Sequence, residues 1–173
     1  MLGDAPWQKL ERGAEGIVPL FIIFFFTLLG MVPLGPAGFN TIIPPLGLMA
    51  LFYWAAYRPD LVGPFAAFLA GFLTDALTGG PLGAYSVVFL LVHGMVTRQR
   101  QLFLSHSFFM LWWGFAFVAV LAGLFGWLVM TAVDGQIMPI RPVFFQALTA
   151  MALFPLMAGF CGRIQRAFLG GGH

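Results

Sequence analysis

Asp75 is the only charged residue between Leu61 and Thr97, in the middle of an otherwise apolar run. A carboxylate near the centre of a bilayer costs about 2.5 to 3.5 kcal/mol on insertion scales, so its presence there needs a chemical reason. One reason is local. The carboxylate accepts from Thr78 or from the free amides that open the next helix after Pro81, fastening a hairpin. In that role Asp75→Asn, which keeps shape and an acceptor oxygen, is expected to be mild. The other reason is direct function: holding a cation, a proton or a partner's arginine inside a helix bundle. His93 is the second ionisable residue within an apolar run. It reads as a hydrogen-bonded packing residue or, less simply, a ligand. His106 is expected at an interface and His173 in a tail. The single cysteine, Cys161, excludes an internal disulfide and a thiolate metal cage. The sequence contains no phosphate loop, no H-E-x-x-H and no nucleophile elbow. It therefore predicts no enzyme, no metal and no cofactor.

The elements that hold these residues follow from composition. Of 173 residues, 61% are hydrophobic and only 8% charged, whereas soluble domains carry about a quarter charged residues. Ile17 to Tyr57, Gln101 to Val133 and Pro142 to Gly162 contain no charge at all. Because about 20 apolar residues cross the hydrocarbon core, the first stretch and Leu61 to Thr97 are each about two spans long and must fold back. The fold class is thus an all-α integral membrane protein, a bundle of about six transmembrane helices. The domains read as a cytoplasmic segment over 1–16, one membrane domain over 17–166 and a tail over 167–173. A net charge of +2 with scattered arginines gives topology signals rather than a nucleic-acid surface.

Residues 5–16 form either a short surface helix, with Trp7 and Leu10 toward lipid, or a disordered tail. Span one covers Ile17 to Val32, with Pro19 in its first turn and a break from Gly30 to Gly38. Span two covers Ile42 to Tyr57, opened by Pro44 and Pro45 and anchored by Tyr53, Trp54, Tyr57 and Arg58. Arg58, Pro59 and Asp60 make a tight turn, which is a charged cap or a partner-docking point. Span three, Leu61 to Leu77, carries Gly63, Ala67 and Gly71 at four-residue spacing. That small-residue stripe lets a helix of this chain or of another protein approach closely. Gly79 and Gly80 end it, and Pro81 starts span four, which runs to Thr97. Span five covers Phe109 to Val133 after an interfacial lead at Ser105, His106 and Ser107. A loop from Asp134 leads to span six, Pro142 to Gly162, with Pro155 inside it and Arg163 and Arg166 stopping it.

With six spans, Lys9, Arg12, Arg58, Arg98, Arg100, Arg163 and Arg166 share one side and only Arg141 takes the other. The excess of basic residues puts both termini in the cytoplasm.

Two segments carry a family resemblance. Tyr57-Arg58-Pro59-Asp60, followed by Gly71-Phe72-Leu73-x-Asp75-x-Leu77-x-Gly79-x-Pro81-Leu82-Gly83, resembles the rod shape-determining MreD family of bacteria. Beyond residues 57 to 83 the likeness rests on hydropathy and span spacing. It implies a non-enzymatic component of the bacterial inner membrane, working in cell elongation. The implied partners are an MreC-like protein, RodA with a class-B penicillin-binding protein, the MreB cytoskeleton indirectly, and membrane lipid. It also implies that Arg58, Pro59, Asp60, Gly71, Asp75, Gly79, Pro81 and Gly83 form a partner-binding or structural motif. The family in turn resembles, in predicted architecture, the six-helix substrate-binding component of vitamin uptake transporters. That likeness supplies the alternative function, a small-molecule-binding transporter subunit.

Overall fold

The computed structural model describes residues 6–30, 44–79, 81–100, 108–135 and 139–169. Among these the chain forms helices α1 (Pro6–Leu29), α2 (Leu46–Tyr57), α3 (Pro64–Thr78), α4 (Ala84–Arg98), α5 (Phe108–Asp134) and α6 (Arg141–Leu169). The expected break beyond Gly30, Gly80, the lead at Ser105, His106 and Ser107, Gln136 and the last tail residues lie outside the described residues, as do the side chains of Trp7 and Leu10.

The helix ends differ from the expected spans for identifiable reasons. α1 runs unbroken through the expected boundary at residue 16, so Pro19 sits in its interior rather than in a first turn. A polar lead ends an apolar run without ending a helix, because Glu, Lys and Arg are good helix formers. The same holds at the other end of the chain, where α6 continues past Arg163 and Arg166. Pro45 precedes α2 as its N-cap, and Pro64 opens α3. Consequently α2, α3 and α4 are only 12, 15 and 15 residues long, about 18 to 22 Å at 1.5 Å per residue. α5 and α6, at 27 and 29 residues, exceed the roughly 30 Å of a hydrocarbon core. Among the described residues they are the two helices long and apolar enough to cross a membrane.

α2 is the hub of the bundle. Every residue from Gly47 to Ala56 is buried, which fits a helix apolar on all sides. It packs against α1, α4 and α6. Phe52 meets Phe115 of α5 and Phe154 of α6 edge-on, with ring centroids 5.4 and 5.7 Å apart. Phe115 and Phe154 stack on each other at 4.3 Å. Polar side chains then pin helix to helix. Nε2 of His93 on α4 donates to the Val62 carbonyl in the turn before α3 at 2.7 Å. Nε1 of Trp112 on α5 donates to the Met151 carbonyl on α6 at 2.9 Å. Around this core the outer surface is apolar, with Phe21, Phe65, Leu91, Phe117 and Leu156 each at least half exposed.

Candidate functional site

The most extensive helix pairing is between α3 and α4. A Cβ on Gly71 of α3 would sit 2.5 Å from Ser86 Cα and 2.6 Å from the Tyr85 carbonyl oxygen of α4. The two backbones touch there, and only glycine leaves the room. Ala67 and Ala70 are buried on the same helix. Gly63 does not belong to this contact: it is the exposed N-cap of α3, and a Cβ there would meet nothing within 4 Å. The close approach to α4 therefore runs through Gly71, within this chain.

That approach brings Asp75, only 1% exposed, against the first turn of α4. Its Oδ1 accepts from the Tyr85 amide at 2.8 Å. Its Oδ2 accepts from the Gly83 amide at 2.9 Å, the Ser86 amide at 3.2 Å and the Ser86 hydroxyl at 3.1 Å. The first amides of any helix lack intrahelical partners and carry its positive dipole end. α4 has no side-chain cap from its own sequence, since its N-cap is Gly83. A carboxylate from the preceding helix supplies the cap instead. Thr78 does not bond this carboxylate; its hydroxyl donates to the Thr74 carbonyl at 2.8 Å.

The connection is shaped by two glycines with positive φ, Gly79 at 68° and Gly83 at 103°, a region that costs other residues strain. Pro81 does not start α4. Pro81 and Leu82 lie in the turn, and the helix begins at Ala84, because the amides that Asp75 gathers can converge only once Gly83 has turned the chain.

Arg58 and Asp60 form a separate group. Nε of Arg58 reaches Asp60 Oδ2 at 3.1 Å in an exposed turn. That turn precedes α3 while Asp75 lies near its far end, so the two halves of the sequence motif are roughly 20 Å apart along the helix. They cannot act as one site.

Beside the Asp75 hairpin is a cavity of about 440 Å³. It gathers the C-terminal parts of α1, α3 and α5 and the N-terminal parts of α2, α4 and α6. Successive described helices therefore alternate in direction, and the cavity lies toward one end of the bundle. Sequence reasoning missed this cavity and the roles of Tyr85 and Ser86. Gly83, directly before the helix that opens Ala84-Tyr85-Ser86, was the one available signal, a helix opening without its own side-chain cap. Among the described residues no three His, Cys, Asp or Glu side chains come together.

The described residues thus form an all-helical bundle with two membrane-length helices, whose conspicuous polar feature is the buried Asp75 carboxylate at the start of α4. The chain belongs to the rod shape-determining protein MreD family, whose model matches residues 14–164. Members of that family are membrane proteins of rod-shape determination, a family not known for enzymes. No curated protein and no solved structure gives a significant match.

Proposed function

We propose that this chain is a non-enzymatic, six-span component of the bacterial inner membrane that holds or regulates the peptidoglycan synthase of the elongation complex, in contact with an MreC-like protein, RodA and a class-B penicillin-binding protein. The observation that carries this reading is the hairpin from Gly71 to Gly83. The residues that carry the family resemblance also make the closest backbone contact and the buried cap. Such a hairpin presents a rigid end to a partner. The alternating helix directions support six crossings, and the seven-to-one basic asymmetry supports cytoplasmic termini. The Arg58-Pro59-Asp60 turn then faces the cytoplasm, and the Asp75 hairpin faces the opposite side. In a rod-shaped host depleted of its own family member, the chain should restore rod shape and copurify an MreC-like protein from native membranes. Restored accumulation with neither rod shape nor partner would overturn the proposal.

A further inference from the structure

The α3–α4 hairpin is shorter than a bilayer is thick. Two sets of cross-helix bonds fix its register: His93 Nε2 to the Val62 carbonyl near one end, and the Asp75 carboxylate to the amides of Gly83, Tyr85 and Ser86 near the other. In that register Asp60, exposed before α3, lies at about the level of Arg98, exposed in the last turn of α4. Charged side chains hold that end in water. The other end is held there by its backbone. The last carbonyls of α3 have no intrahelical partner, and unsatisfied backbone groups are not tolerated in hydrocarbon, so the turn around Gly79 and Gly83 must also reach water. Between the two levels lie the 15 residues of α4, about 22 Å at 1.5 Å per residue, against roughly 30 Å of hydrocarbon.

α5 and α6 have the opposite mismatch. Their apolar stretches are 26 and 27 residues long, about 39 to 41 Å. Tilt shortens the vertical reach of a helix and cannot extend it. Tilting therefore fits α5 and α6 to the bilayer but leaves α3 and α4 about 8 Å short. The outward face of the hairpin is apolar, with Phe65, Phe68, Phe72, Val87 and Leu91 all exposed, so the shortfall passes to the hydrocarbon that covers it.

We propose that the α3–α4 face is a lipid-binding surface selective for short acyl chains, which thins the bilayer on that side of the protein only. The water surface then dips to the Asp75 hairpin, and the turn keeps its backbone hydrated. This selectivity rests on the six-span reading, in which α3 and α4 are two of the crossings.

The test uses the full chain in vesicles of equimolar dimyristoleoyl and dierucoyl phosphatidylcholine, each lipid in turn carrying a chain nitroxide. Phe72→Cys on α3, Leu91→Cys on α4 and Phe117→Cys on α5 each receive a small fluorophore at an exposed position, with buried Cys161 silent. Quenching by the short-chain lipid is expected to exceed quenching by the long-chain lipid roughly threefold at Phe72 and Leu91, with no such excess at Phe117. The two hairpin positions lie on different helices, so failure of one variant to fold leaves the other to decide. The same ratio at all positions, or a long-chain preference on the hairpin, would overturn the proposal and leave the six crossings standing. Quenching by neither lipid at Phe72 and Leu91 would overturn it together with the placement of the hairpin in lipid.

Discussion

Replacing Asp75 tests the hairpin most directly, and its two oxygens make the outcome graded. In Asp75→Leu the amides of Gly83, Tyr85 and Ser86 lose their acceptor. Each buried unsatisfied donor costs about 1 to 3 kcal/mol. Removing the carboxylate also relieves its burial cost, about 2.5 to 3.5 kcal/mol on insertion scales, so mid-range values leave a net loss of about 3 kcal/mol. Asp75→Asn keeps one acceptor. Its best arrangement leaves the oxygen with Gly83 and Ser86 and turns the amide nitrogen toward the Tyr85 amide, donor facing donor. One bond is lost and charge assistance disappears, which costs about 1 to 3 kcal/mol. The sequence reading that makes Asp75→Asn mild treats the carboxylate as a single acceptor; the geometry makes the substitution intermediate. Ser86→Ala removes only the hydroxyl bond at 3.1 Å and should cost about 1 kcal/mol. Because Asp75 and Ser86 share an oxygen, the Asp75→Asn and Ser86→Ala effects should not add. The assay is reversible unfolding in mixed micelles, alongside rod-shape complementation. If Asp75→Asn unfolds like the parent protein yet abolishes complementation, the cap account fails and an ionic or proton-linked role takes its place.

Three further outcomes follow from the packing. Gly71→Leu should abolish accumulation in the membrane, and Gly71→Ala should already reduce it, because the added carbon meets α4 backbone at 2.5 Å; Phe72→Leu on the exposed side should accumulate normally, and equal levels for all three would refute the close approach. His93→Phe, which deletes the donor to the Val62 carbonyl, should lose about 1 to 3 kcal/mol of stability in the same micelle assay, whereas an unchanged midpoint would show that the bond contributes nothing. Cysteine at exposed Ile140 should react with an impermeant thiol reagent in intact cells while cysteine at exposed Gln99 stays protected, with Cys161 silent because it is buried; the reverse pattern would invert the topology.

The amino-acid sequence by itself determined the helical, membrane class of the protein and where the helices of the described residues fall, because charge-free runs and Pro/Gly breaks are local properties that need no tertiary contact to express themselves. It also singled out Asp75, since a lone carboxylate among apolar residues is costly wherever the chain folds. It did not determine helix length: α1 and α6 pass through charged residues that end an apolar run but not a hydrogen-bonded backbone, and α4 begins three residues after Pro81. Nor did spacing separate Gly63 from Gly71, although one caps a helix in open space and the other touches a neighbouring backbone. Those distinctions arise only when α3 meets α4. The burial of α2 on every side and the cavity walled by the six described helices are likewise products of assembly. Each depends on distances between segments far apart in the chain, and hydropathy and residue spacing carry no information about those distances.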